Sequence, residues 1–225
     1  MNIDKRVKTL VSGGLAALML CFTAGAAIAA PVTGAIFTTL IDGTAVNHNI
    51  YDLKEDVYLN GGPQPNAPCH AAGIPDGDYY FQVTDPSGKV LLSKMEDGTT
   101  DEPIGNRKVK VYGGVFVGLG DPPAGTHYVP QFDSSNVPYG QCNGITVQLA
   151  PFNSTPNMGG EYKVWITKVT DYKPGYGSFG FIPSKSKTDN FKVPNIDSDG
   201  DGIPDSEDNC PTAFDPTNQC GLLPG

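Results

Sequence analysis

Near its carboxyl end the chain reads Asp197-Ser-Asp199-Gly-Asp201-Gly202-Ile203-Pro-Asp205-Ser-Glu-Asp208, a row whose chemical capability is the donation of anionic oxygens. Counted from Asp197, aspartates stand at positions 1, 3, 5, 9 and 12, glycine at 6, and the backbone carbonyl of Ile203 at 7. That is the spacing of a calcium loop, in which a hard cation gathers roughly six to eight oxygens at about 2.3 to 2.6 Å. Alternation at 1, 3 and 5 turns the carboxylates inward, and Gly202 permits the sharp bend around an ion. A solvated acidic tail is the competing reading, yet charge alone does not place glycine and five aspartates in register. Without an ion, carboxylates about 4 Å apart repel by about 1 kcal/mol in water and about 4 kcal/mol at an effective dielectric of 20, so the empty segment is expected to lose order.

The flanks exclude a helix-loop-helix site. Pro194 precludes an entering helix, and Asn209-Cys210-Pro211 stops an exiting one. Residues 197–211 instead match, at every defined position, the DxDGDGxxDxxDNCP signature of the thrombospondin type 3 repeat, which this segment resembles. The resemblance implies a small irregular module organised by calcium and disulfides. It further implies that Asp197, Asp199, Asp201, Asp205 and Asp208 are ligands, together with the Ile203 carbonyl. Only one full signature is present, so the long-spacer role of repeat arrays does not carry over.

The other end of the chain is basic and then apolar. Lys5, Arg6 and Lys8 precede an apolar run over 10–28 and the step Ala27-Ile28-Ala29, the layout of a secretory signal peptide cleaved after Ala29. No later stretch is apolar enough to span a bilayer, so the mature chain is expected to be secreted or held at the cell surface, the periplasm included. The formal charge of −9 excludes nucleic acid as an expected partner. Of five cysteines, Cys21 lies in the signal. The remaining Cys69, Cys142, Cys210 and Cys220 suit an oxidising compartment, and their separations favour Cys69 with Cys142 and Cys210 with Cys220. Free thiols or a thiolate metal site are the alternative, disfavoured because no CxxC spacing occurs.

The elements that carry these groups read as strands. Gly 28 and Pro 20 leave little room for helices. Short alternating runs occur at 36–40, 57–59, 79–84, 89–92, 108–112, 145–149 and 161–169. Tyr79, Phe81 and Val83 fall on one face, and Asp85-Pro86-Ser87-Gly88 carries the residues of a type I turn, which predicts a hairpin from 79–84 into 89–92. Tyr162, Val164 and Ile166 alternate with Lys163, Trp165 and Thr167, which predicts one face toward a core and one toward water. The expected fold is all-β, an antiparallel β-sandwich over 30–194 with the irregular calcium-binding module at 195–225. Residues 53–62, 77–92, 161–169 and 186–193 resemble the prealbumin-like or Cna-B-type sandwich modules of secreted bacterial proteins, an Ig-like scaffold that implies no activity by itself.

Other motifs carry less. Gly175-Tyr-Gly177-Ser-Phe-Gly180 satisfies GxGxxG without a strand-to-helix context, and reads as a flexible loop. His48, His70 and His127 are scattered, and no GxSxG occurs. The leading expectation is a non-enzymatic, calcium-binding structural or adhesion protein of oligomeric state not specified by the sequence. A carbohydrate- or protein-binding module, with Tyr79, Tyr80, Tyr162 and Trp165 as a stacking face, and a secreted hydrolase built on paired carboxylates are the alternatives.

Overall fold

The computed structural model describes residues 32–43, 45, 48–63, 67–120, 127–130, 142, 144–201, 203–205 and 208–220. The signal segment, Gly202 and Glu207 lie outside them. Eight strands form two antiparallel sheets packed as a sandwich: β1 (Ala35–Thr39), β2 (Tyr58–Gly62), β3 (Gly77–Thr84), β4 (Lys108–Tyr112), β5 (Val115–Leu119), β6 (Val147–Gln148), β7 (Glu161–Lys168) and β8 (Ser186–Lys192). The small sheet runs β1-β2-β6 and the large one β5-β4-β3-β7-β8. No helix among the described residues is long and apolar enough to cross a membrane.

The inward faces are those the alternation predicts. Tyr79, Phe81 and Val83 of β3 and Tyr162, Val164 and Ile166 of β7 pack with Ile36, Leu59 and Val147 of the small sheet. Tyr162 stacks on Phe191 of β8 with centroids 5.1 Å apart, and Phe152 meets both rings edge-on. Burial of each such side chain contributes about 1.5 to 3 kcal/mol.

The outward faces of β3 and β7 depart from expectation. Gln82, Thr84, Trp165 and Thr167 are buried rather than wet. The segment 172–181 folds over Gln82 and Trp165 as a cover and is not a free loop, while the Thr167 hydroxyl donates to the Lys185 carbonyl just beyond it at 3.2 Å. Gln82 Nε2 donates to the Ser178 carbonyl at 2.9 Å, and the Ser178 hydroxyl donates to the Gly88 carbonyl at 2.7 Å. Beneath them the Trp165 indole N–H donates to Thr84 Oγ1 at 2.9 Å. Gly180, at φ +97°, lies so close to Tyr172 that a Cβ would sit 2.2 Å from its ring. Gly177 and Gly180 of the GxGxxG run therefore serve close packing, whereas Gly175, at φ +80°, faces open space.

The predicted turn after β3 forms, but its second arm does not become a strand. Gly88 N–H donates to the Asp85 carbonyl at 3.0 Å, closing the turn. The Asp85 carboxylate accepts from the N–H groups of Ser87, Lys89 and Val90 and from the Ser87 hydroxyl. Residues 89–92 contribute the single bridge Thr84↔Leu91, and beyond it the Val83 N–H donates to the Ser93 hydroxyl at 2.9 Å in place of a ladder bond. β5 and β8 are additions to the strands read from alternation. The signal for β5 is the two-residue turn Gly113-Gly114, both at positive φ (61° and 86°), the conformation that closes tight hairpins, while β8 carries the single core residue Phe191 and shows no alternation of apolar residues.

Where β1 of one sheet meets β8 of the other, a side chain replaces a ladder bond. Asp189 Oδ2 accepts the Thr38 N–H at 2.9 Å, with the Thr38 hydroxyl at 3.4 Å. Both expected disulfides form. Cys69–Cys142 spans 73 residues with Cα atoms 5.2 Å apart, and Cys210–Cys220 spans 10 with Cα atoms 5.6 Å apart.

Two carboxyls predict opposite pH signatures. Burial alone would raise Asp85, but the bonds from Ser87, Val90 and Lys89 outweigh it and hold the carboxyl below its ordinary 3.8. Its contribution is complete above that value and lost as pH falls through the lower folded value. Asp85→Ala is expected to cost about 1 to 2 kcal/mol near neutrality, with the gap to wild type closing in acid. Asp189 is raised by burial, against the opposing bonds from Thr38 and Asn190. Its contribution is complete below 3.8 and declines as pH rises through the folded value. Asp189→Ala strands the Thr38 N–H in the seam at a cost of about 1 to 3 kcal/mol, and the gap should widen toward acid. Urea unfolding of both variants across the acidic range checks the two signs, and parallel pH profiles would refute them.

Candidate metal centre

The last strand ends at Lys192, and the chain leaves the sandwich through a fixed path. Val193 N–H donates to the Gly160 carbonyl at 2.9 Å, and Gly160 adopts φ +67° where a Cβ would strike the Val193 oxygen at 2.2 Å. Asn195 Nδ2 donates to the Thr155 carbonyl at 3.2 Å. The aspartate row begins two residues later.

Its first half folds by each aspartate capping the backbone just ahead. Asp197 Oδ1 accepts Gly200 N–H at 2.8 Å, Asp199 Oδ1 accepts Asp201 N–H at 3.2 Å, and Asp201 Oδ1 accepts Ile203 N–H at 2.8 Å. These local bonds are the turn chemistry of aspartate, and they hold the three carboxylates side by side. One carboxylate oxygen from each of Asp197, Asp199 and Asp201 lies within 4.8 Å of the others, a set that could hold a metal ion.

Asp208 joins this group electrostatically. Its Oδ1 accepts Cys210 N–H at 2.7 Å, while its Oδ2, like Asp199 Oδ2, is buried without a hydrogen-bond partner. Loss of water raises the Asp199 carboxyl above its usual range, opposed by the Asp201 N–H and reinforced by the charges of Asp201, Asp208 and Asp197. Two buried, unpartnered carboxylate oxygens in an anionic cluster are a costly arrangement that a cation relieves. Among the last thirty residues there is no lysine or arginine to do so.

Asp205 is placed differently from its neighbours. Ser198 occupies both of its oxygens, the N–H at 2.7 Å and the hydroxyl at 2.6 Å, while Asp205 N–H donates to the Ile196 carbonyl at 2.6 Å. It closes the neck of the loop. Ile203 is half-buried and tied through its N–H to Asp201. Two contributors escape the spacing argument. Asp215 N–H donates to Asp201 Oδ2 at 2.9 Å, and Asn209 is held by Asn218 through bonds of 2.7 and 3.1 Å. The Cys210–Cys220 bridge brings this second half back onto the first. Asp215 itself is held below the ordinary carboxylate range, first by the Thr217 hydroxyl and then by the Gln219 N–H.

The aromatic residues read as a possible stacking face are otherwise employed. Tyr79 and Tyr162 are core residues, Trp165 lies under the 172–181 cover, and Tyr80 packs edge-on against Tyr172. Of the histidines, His70 is exposed and His48 meets Tyr51 edge-on. His127 is buried, with Nδ1 at 2.9 Å from the Gln148 carbonyl and Nε2 at 3.0 Å from the Glu102 carboxylate. Arg107 sits behind, its Nε 3.8 Å from the same carboxylate and its Nη2 donating to the Glu102 carbonyl at 3.1 Å. Burial lowers the Arg107 guanidinium, with the Glu102 charge acting against that fall. This buried trio draws its members from 102, 107 and 127, and local spacing carries no trace of it. Searched against family models, curated proteins and solved structures, the chain has no match.

Proposed function

We propose that the protein is an exported calcium-binding structural protein, a β-sandwich whose C-terminal module takes its shape from the ion and serves surface architecture or adhesion. The observation that carries this reading is the convergence of Asp197, Asp199 and Asp201 beside the unpartnered buried oxygens of Asp199 and Asp208. The donors are all carboxylate oxygens on an irregular backbone, which suits a large, geometrically tolerant cation. Magnesium demands a near-ideal octahedron at about 2.0 to 2.1 Å and gives up its water reluctantly, so it is the poorer fit. The Ile203 carbonyl is proposed to complete the sphere, with Asp205 holding the loop closed through Ser198. Export is supported by the signal-like N-terminal sequence and by the two disulfides.

A closed set of oxygen ligands held by turn hydrogen bonds stabilises a conformation, and the proposal assigns no catalytic step to it. Calorimetric titration of the chain lacking residues 1–29 should give calcium binding with a dissociation constant on the order of 10⁻⁴ to 10⁻³ M. Calcium at about 100 times that constant should stabilise the module by about 2.7 kcal/mol and protect it from proteolysis. Asp199→Ala combined with Asp201→Ala should remove both effects and leave unfolding of the sandwich unchanged. Absence of calcium heat and of calcium-dependent protection in the unsubstituted chain would end the proposal.

A further inference from the structure

Away from the aspartate cluster, β7 and β8 turn a second set of polar groups outward at the end of the large sheet. Glu161 and Lys163 stand opposite Lys192 and Asn190 in the β7–β8 register. With Asn49 and the turn residue Pro86 they line an open cleft of about 340 Å³. The backbone here is fixed on both sides: Lys192 N–H donates to the Asn49 carbonyl at 2.8 Å, and Tyr51 N–H donates to the Lys192 carbonyl at 2.9 Å. Apart from Lys163, whose Nζ lies 5.5 Å from the centre of the Trp165 ring, the side chains are not spent in the same way. Glu161 and Lys192 carry opposite charges at directly paired positions without forming an ion pair. Among the described residues the side chains of Asn49, Glu161, Asn190 and Lys192 make no hydrogen bond at all.

We propose that this cleft binds a single pyranose residue of a glycan. A carboxylate accepts from two neighbouring hydroxyls at once, each carboxamide both donates and accepts, and each ammonium donates to a ring or hydroxyl oxygen. That mixture matches a polyol, whose hydroxyls are donors and acceptors on one small frame. The Pro86 ring supplies an apolar wall for the C–H face of the sugar. The volume is at the lower end of the range of about 300 to 1,000 Å³ for small-molecule sites, which suits one ring and excludes a lipid or a dinucleotide. The site is independent of the calcium module, and its occupancy does not require the metal.

The test is a heteronuclear NMR titration of the disulfide-intact chain with methyl glycosides of glucose, galactose, mannose, N-acetylglucosamine and galacturonic acid. At least one glycoside should shift the side-chain amide signals of Asn49 and Asn190, with a dissociation constant on the order of 1 mM for a ligand of this size. Glu161 and Asn190 are exposed, so Glu161→Ala and Asn190→Ala should keep the thermal midpoint while weakening binding about tenfold or more. Response to the galacturonide alone would support the site and assign its selectivity to Lys163 and Lys192. No shift at Asn49 and Asn190 with any of the five sugars, or binding undiminished in both variants, would overturn the proposal.

Discussion

The apolar faces of β3 and β7 can leave water only by meeting the small sheet, and the rest of the molecule is arranged around that contact. β3 and β7 are the central strands of the large sheet and pair with each other over six positions, Tyr79↔Lys168 to Thr84↔Lys163. One face supplies the core rings; the other carries Gln82, Thr84, Trp165 and Thr167. Polar groups buried on that second face need partners: the Ser178 carbonyl of the 172–181 cover serves Gln82, Thr84 serves Trp165, and the Lys185 carbonyl just beyond the cover serves Thr167. The cover thus follows from having two central strands dry on both sides. Gly177 and Gly180 follow in turn from how close its backbone must come to Phe181 and Tyr172.

The C-terminal module obeys a different rule. It contains no strand among the described residues, and its order comes from aspartates capping their own backbone and from one short disulfide loop. The same capping bonds that shape the turn use up one oxygen of each carboxylate, and at Asp199 and Asp208 they leave the other buried without a hydrogen-bond partner among like charges. Local folding and electrostatic repulsion therefore act against each other inside about a dozen residues. A divalent ion reverses the sign of the second term while leaving the first intact.

Much of this was legible in the sequence where the cause is local. The alternation at 79–84 and 161–169 marked the central strands because period-two burial is a property of each strand alone. Asp85-Pro86-Ser87-Gly88 marked its turn because the acceptor, the preset φ and the exit glycine sit within four residues. The aspartate spacing marked the cluster for the same reason. What stayed hidden depends on distant partners. Nothing near Asp189 announces that it will serve Thr38 across 151 residues. Nothing in 172–181 announces Gln82, and the Glu102, Arg107 and His127 cluster is assembled only by the fold. The Gly113-Gly114 turn is a readable local signal for β5, although the run itself is masked by Gly118 and by how closely it follows its partner.

The long disulfide has a mechanical consequence. Cys69–Cys142 encloses β3, β4 and β5 entirely, so a pull applied through the two chain ends bypasses them. Residues inside the bridge represent roughly 250 Å of contour that cannot be drawn out while the bond is intact. Under tension β1, β2, β6, β7 and β8 are the strands the load reaches, and reduction of this one bond releases far more chain than reduction of the short Cys210–Cys220 loop.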